Sequence, residues 1–285
     1  MSLTALALLL LAAMMHTTWN LVVKRAKEKQ VFTWWALLVG SVCFVPVLVL
    51  NSSFPIRIWP YVTISALVEA MYFIILTRAY EHGDFSLVYP MARGSAPAFL
   101  AIWAFLFLGE RPRPYGVLGI ALLVLGLIVV GGKAWWSLRK TSALSKSAVG
   151  LALGVACCIS IYSVIDGAAV HIAAPAPYTV LVIGLSATFV APVVLMRFGH
   201  HTVVAEWHTN WFRIVIVGIL MLLSYMLVLL VYSIARVSYA GAVREISVVF
   251  AAFVGWRWLS EEFGAIRLVG AILIFAGILV IAVAG

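Results

Sequence analysis

Charged side chains are scarce in this chain of 285 residues. Only 10% of the residues are Asp, Glu, Lys or Arg, while 65% are apolar, and the mean hydropathy is +1.14. This balance excludes an ordinary water-soluble domain and is typical of a protein embedded in a bilayer. Lys and Arg outnumber Asp and Glu by 19 to 10. They are spread over short connections without forming one basic face, so we expect no nucleic-acid partner.

Cysteine is equally scarce. The three cysteines, Cys43, Cys157 and Cys158, all lie inside apolar stretches, so a disulfide framework is excluded. The sequence also lacks a phosphate-binding P-loop, a dinucleotide fingerprint and a zinc-binding motif. We therefore expect no cofactor.

Two short polar patterns suggest other chemistry, but neither is specific. His200, His201, Glu206 and His208 lie close together in a predicted loop, yet their spacing matches no established metal site. The Gly-x-Ser pattern at 184–186 is only three letters long and does not by itself indicate an intramembrane protease. We expect neither a metal site nor an enzyme.

Ten apolar stretches are each long enough to cross a bilayer as a helix, which takes about 20 residues. They cover residues 3–23, 31–50, 58–79, 86–108, 115–132, 148–170, 177–197, 211–234, 238–259 and 266–284. The first lacks a basic leader before its apolar run, so we interpret it as a permanent helix and not as a cleaved signal peptide. The sequence predicts an all-α polytopic membrane protein with ten transmembrane helices.

The second half of the chain repeats the first. With a shift of 151 residues, Arg93 aligns with Arg244 and Glu110 aligns with Glu261, and 9 of the 45 positions compared without a gap are identical. Matched charges are informative because charge is rare in this chain. The period contains five spans, an odd number, so the second copy is predicted to be inverted in the membrane.

A polar, basic stretch at 133–147 is predicted to link the two copies. It gives two five-helix domains of residues 1–140 and 141–285. Glycines in spans five and ten, such as Gly126 and Gly277, are predicted to let helices pack closely.

The repeated motifs resemble those of a known family. They are the Leu108-Gly109-Glu110-Arg111 turn with Gly116, Gly119 and Gly126, and the degenerate copy Leu259-Ser260-Glu261-Glu262 with Gly270 and Gly277. This arrangement resembles the drug/metabolite transporter superfamily, specifically a chain with two EamA-type domains. The resemblance implies a secondary transporter that exports small polar or amphiphilic metabolites, such as amino acids, across the bacterial inner membrane by alternating access.

The resemblance also implies a small-molecule substrate and the lipid bilayer as partners, with the chain acting as a monomer or homodimer. An intramembrane enzyme and a passive pore or scaffold are the alternatives. Connections after odd-numbered spans hold 13 Lys and Arg and the others hold four, which places both termini outside the cytoplasm. Family members of this size usually have both termini inside, so the orientation stays open.

Ionisable residues at hydrocarbon depth are the strongest candidates for function, because each costs about 2.5–3.5 kcal/mol to insert. Glu69 lies at the middle of span three and shares a helix face with Tyr72. We predict that Glu69 exchanges a proton with the substrate site, or else pairs permanently with an arginine. Arg93 and Arg244 are predicted to bind a substrate anion. The alternative is an ion pair, of Arg244 with the adjacent Glu245 and of Arg93 with Glu69 or Asp166.

Polar side chains also form a stripe along span one. His16, Asn20 and Lys24 recur every four residues, and Trp19 lies among them. Such a stripe is predicted to face a wet cavity, although packing of Trp19 and a backbone hydrogen bond of Asn20 would also explain it. The full set of predicted cavity residues is His16, Trp19, Asn20, Glu69, Tyr72, Arg93, Tyr162, Ser163, Asp166, Tyr225, Arg244 and Glu245.

Overall fold

All regular structure in the residues that the structure describes is helical. The structure is a computed structural model that describes residues 1–50, 54–82, 85–137, 143–250 and 265–284. The helices are α1 (Leu3–Arg25), α2 (Lys29–Cys43), α3 (Val45–Leu50), a 3-10 turn (Ile56–Ile58), α4 (Trp59–His82), α5 (Phe85–Phe107), α6 (Pro114–Ser137), α7 (Ala143–Ala169), α8 (Pro175–Tyr232), α9 (Val237–Arg244) and α10 (Ala265–Ala284). This confirms the predicted all-α class.

An all-helical chain is suited to a bilayer, because a helix satisfies its own backbone hydrogen bonds in hydrocarbon. In the described part of the chain, four segments have the length and apolar composition to span a membrane: Leu3–Arg25, Ile56–His82, Ser147–Ala169 and Pro175–Tyr232. Many large apolar side chains are exposed, including Met196 and Val49, as expected for surfaces that face lipid.

Two predicted boundaries are wrong. Span two is not continuous, because α2 ends at Cys43 and a turn at Phe44 precedes α3. Pro46 has no backbone N–H to donate to the carbonyl oxygen of Val42, so the helical hydrogen-bond pattern is interrupted there. The predicted loop between spans seven and eight is also helical. A kink at Gly199, with φ of +70° and ψ of 163°, divides α8 into two helices there, and that φ favours glycine.

Span nine and the linker differ from the prediction as well. The helix α9 ends at Arg244, the chain turns at Glu245 and Ile246, and helix resumes at 247–250. The remainder of span nine, with the copied motif at Leu259-Ser260-Glu261-Glu262, lies outside the described residues. The predicted linker at 133–147 is shorter than expected, since α6 extends to Ser137 and α7 begins at Ala143.

Glycines set the closest helix contacts. A Cβ atom added at Gly126 would lie 2.6 Å from the carbonyl oxygen of Gly270, and one added at Gly277 would lie 2.6 Å from that of Gly119. This confirms the predicted packing role of these glycines. Gly119 of α6 meets Gly277 of α10, and seven residues later Gly126 meets Gly270, seven residues earlier on α10. The two helices therefore run antiparallel.

Candidate functional site

A small buried cavity lies where helices from both halves of the chain meet. Its volume is about 40 Å³. It is lined from α1 by Ala12, His16 and Trp19, from α4 by Glu69, Tyr72 and Phe73, from α7 by Tyr162, from α8 by Ile183, Met221, Ser224, Tyr225 and Val228, and from α9 by Arg244. The cavity therefore combines two helices of the first half with three of the second.

Seven of the twelve predicted cavity residues line this space: His16, Trp19, Glu69, Tyr72, Tyr162, Tyr225 and Arg244. The other five, Asn20, Arg93, Ser163, Asp166 and Glu245, are buried but do not line it. A larger apolar groove of about 520 Å³ lies between α4, α5 and α7 and includes none of the predicted residues.

The α1 face of the cavity presents two ring nitrogens that lack a hydrogen-bond partner. The rings of His16 and Trp19 meet edge to face with centroids 4.6 Å apart. Both His16 Nε2 and Trp19 Nε1 are buried without a partner. The indole nitrogen can only donate, so it would bond an acceptor on a molecule in the cavity.

Asn20 does not line the cavity. Its side-chain amide donates to the His16 carbonyl oxygen at 2.9 Å, and its oxygen accepts from the Tyr80 hydroxyl at 3.3 Å. Of the two readings that the sequence left open, the structure shows the backbone hydrogen bond. Asn20 holds α1 against α4 behind the cavity wall.

Two arginines and one glutamate form the basic side of the site. Arg93 Nη1 donates to Glu245 Oε1 at 3.0 Å and to Oε2 at 3.3 Å. Arg244 Nε lies 3.5 Å from the same Glu245 Oε1 but makes no hydrogen bond. All three side chains are at most 5% exposed. Arg244 Nε is thus ion-paired with Glu245 but not hydrogen-bonded, and Arg244 also lines the cavity.

The turn after Arg244 explains this geometry. Because α9 ends at Arg244, Glu245 leaves the helical register and its carboxylate lies between the two guanidinium groups. Discontinuous helices place charged groups and free backbone ends at transporter sites in this way. An ion pair, one of the two alternatives predicted for Arg93, is therefore present, but its partner is Glu245 and not Glu69 or Asp166 as predicted.

Carboxylates form the opposite side. Asp166 is fully buried and accepts three hydroxyl hydrogen bonds, from Ser65 at 2.6 Å, from Tyr178 at 2.7 Å and from Tyr225. Glu69, 3% exposed, receives a long contact of 3.5 Å from the Ser186 hydroxyl.

Sequence reasoning did not assign Tyr178 or Ser186 to the site. Both lie in the first part of α8, and both are fully buried. Their polar groups at hydrocarbon depth were a usable signal, but the partner carboxylates lie on α4 and α7, and the sequence does not show which helices pack together.

Glu110 has a structural role that the motif alone does not reveal. Gly109, with φ of +64°, turns the chain so that Glu110 reaches the start of α9. There its carboxylate accepts from the backbone nitrogens of Val237 at 2.6 Å and Ser238 at 3.2 Å, and from the Ser238 hydroxyl at 2.5 Å. Glu110 of the first half therefore caps the helix of the second half that carries Arg244.

Comparisons with known proteins agree with this architecture. A family model described as the EamA-like transporter family matches residues 3–132 and again 146–283. One solved structure, described only as "Crystal structure of protein", superposes with a TM-score of 0.76 at 17% sequence identity and covers 99% of both chains, so the two share a fold. In all, 27 chains of solved structures match. No curated protein matches.

Proposed function

Because the chain belongs to the EamA-like transporter family in both of its halves, we propose that it is a secondary transporter that exports small polar or amphiphilic metabolites, such as amino acids, across the bacterial inner membrane. The observation that carries this proposal is the buried cavity. The first half lines it with an acidic side chain, Glu69, and the second half with a basic one, Arg244. Polar and ionisable groups inside a membrane protein mark substrate and ion pathways.

The distribution of charge in the cavity supports a substrate with both an acidic and a basic group. Arg244 Nε, ion-paired with Glu245, and Trp19 Nε1 make no hydrogen bond, and both donors suit a carboxylate. Glu69 lines the same cavity from α4 and suits an ammonium group. An amino acid carries both groups on adjacent atoms.

The size of the cavity supports a transport cycle with moving parts. Its 40 Å³ is far below the ~300 Å³ of the smallest common ligand pockets. A substrate therefore requires the two halves to separate around the site, as alternating access supplies. The side chains that would have to part lie on α1 and α4 in one half, and on α7, α8 and α9 in the other.

The antiparallel pairing of α6 with α10 supports the inverted repeat and its division into residues 1–140 and 141–285. The 151-residue shift aligns Gly119 with Gly270 and Gly126 with Gly277. In the structure these four glycines form two crossed contacts, Gly119 with Gly277 and Gly126 with Gly270. A two-fold axis in the membrane plane between the helices would exchange them in this way.

Transport is tested with purified protein in liposomes against a panel of amino acids, with and without a pH gradient. We expect accumulation of at least one zwitterion, and stimulation by the gradient if Glu69 carries the proton. Glu69→Gln should then abolish the gradient-driven component and leave exchange intact, because the amide cannot take up a proton. Glu81→Gln, on an exposed carboxylate paired with Arg197, is the control. Full gradient-driven transport by Glu69→Gln would refute the coupling role.

A further inference from the structure

The apolar groove between α4, α5 and α7 is separate from the buried cavity. Its volume is about 520 Å³, within the ~300–1,000 Å³ of typical ligand pockets. On α7 its lining recurs along one helix face, from Ile161 to Ala168, whereas Tyr162 lines the central cavity. Phe107, another lining residue, is 70% exposed. The groove is therefore open to the surface of the bundle, where apolar side chains face lipid.

The groove runs inward from one end of the helix bundle. Tyr61 lies two residues after the start of α4, Trp103 lies one turn before the end of α5, and Ala168 is the last residue but one of α7. The α7 wall from Ile161 to Ala168 is about 10 Å long, at 1.5 Å per residue. Because membrane helices end near the headgroups and carry Trp and Tyr there, the groove extends from headgroup depth into the hydrocarbon.

One hydrogen-bond donor in this apolar lining lacks an acceptor. Trp103 Nε1 is buried and makes no hydrogen bond with the described part of the chain. An indole nitrogen can only donate, and a buried one usually has a partner. An occupant with an oxygen acceptor near the open end of the groove and an apolar chain along α7 would satisfy both the donor and the lining.

Basic side chains lie at the same end of the bundle. Arg57 precedes Tyr61 by four residues and Arg111 follows Leu108, which also lines the groove, by three. Both arginines are exposed. The neighbouring carboxylate of Glu110 is engaged at the start of α9. The charge at this end therefore favours an anionic headgroup.

We propose that the groove binds one anionic phospholipid of the surrounding bilayer. An acyl chain lies along α7, an ester carbonyl oxygen accepts from Trp103 Nε1, and the headgroup lies near Arg57 and Arg111. A bilayer lipid is the occupant that the position favours, because the groove opens on the lipid-facing surface and spans the depths of headgroup and chain. The proposal requires only that the chain is in a membrane, so it is independent of the transported substrate.

Native mass spectrometry tests the site. The full chain is reconstituted in vesicles of phosphatidylethanolamine and phosphatidylglycerol in equal parts and then extracted into detergent. We expect one retained phospholipid per chain, with phosphatidylglycerol enriched. Trp103→Phe keeps an aromatic ring but removes the N–H, so the bound fraction should fall about fivefold. Trp211→Phe, at an indole that is 54% exposed and lies outside the groove, is the matched control and should retain the lipid.

A second pair of variants tests the location by filling the groove. Ala168→Phe should abolish lipid retention, whereas Ala121→Phe, the same substitution at an exposed position of α6, should not. Retention by Trp103→Phe or Ala168→Phe equal to that of the wild type would overturn the proposal, and so would retention without preference for phosphatidylglycerol. A mass that shows only detergent, or a second copy of the chain, in place of phospholipid would also overturn it. Trp103→Phe keeps the test decisive if Ala168→Phe does not fold.

Discussion

The cap that Glu110 places on α9 joins the two halves of the protein next to the site, and its removal should be measurable. The carboxylate accepts three hydrogen bonds, from the backbone nitrogens of Val237 and Ser238 and from the Ser238 hydroxyl. In Glu110→Ala all three are lost and two backbone donors at the start of α9 have no acceptor. Glu110→Gln retains one side-chain oxygen and loses the charge.

The magnitude follows from these contacts. Loss of an N-terminal cap costs about 0.5–2 kcal/mol, and a hydrogen bond to a charged group contributes about 1.5–3 kcal/mol. Glu110 is only partly buried, so water compensates part of the loss. We expect about 2 kcal/mol for Glu110→Ala and about 1 kcal/mol for Glu110→Gln. With about 2–4 °C per kcal/mol for a chain of this size class, Glu110→Ala should lower Tm by about 4–8 °C.

The assay is thermal unfolding of the purified protein in one detergent, with Glu81→Ala as the control. Glu81 forms an ion pair of 3.0 Å with Arg197, but the two side chains are 29% and 39% exposed. Exposed pairs contribute about 0–1 kcal/mol, so this variant should unfold close to the wild type. If Glu110→Ala also unfolds within a degree of the wild type, the cap does not stabilise α9 and the reasoning is wrong.

Three further outcomes are expected. Arg244→Lys should weaken binding of a carboxylate substrate roughly tenfold, because the ammonium group cannot reproduce the guanidinium fork; unchanged affinity in a binding titration would leave Arg244 a structural residue. Gly126→Ala should lower Tm by several degrees, since its Cβ would lie 2.6 Å from a carbonyl oxygen of α10, whereas Gly150→Ala, with open space around it, should not. Single cysteines at Pro112 and Gly264, in a background without native cysteines, should react with an impermeant maleimide from opposite sides of the membrane; reaction from one side would contradict the inverted repeat.

The helical class could be predicted because the length of an apolar stretch is a local property of the sequence. The repeat could be predicted because charged residues are so rare that their alignment between the two halves is informative. Buried polar residues were found for the same reason: Glu69 and Arg244 stand out against an apolar background. In the structure these two residues line one cavity, although their sequence positions are far apart.

What could not be predicted depends on partners or on single backbone torsions. The break between spans seven and eight is a kink at the single residue Gly199, and a second helix covers residues 200–210. The polar composition of that stretch favoured a longer loop. The ion pair of Arg93 with Glu245 needs the turn that follows α9. Tyr178 contacts Asp166 only because two segments that are near in sequence fold back on each other.

The charged residues of the site do not all follow the internal repeat, because Glu245 has no acidic counterpart in the first copy. The 151-residue shift that aligns Arg93 with Arg244 aligns Glu245 with Gly94. A Cβ atom at Gly94 would lie 3.1 Å from Leu127 Cβ on α6, so the first copy has no room for a matching glutamate. Duplication therefore leaves two arginines to share one carboxylate. Of these two arginines, Arg244 lines the cavity, so it is the one that an anionic group of the substrate would contact.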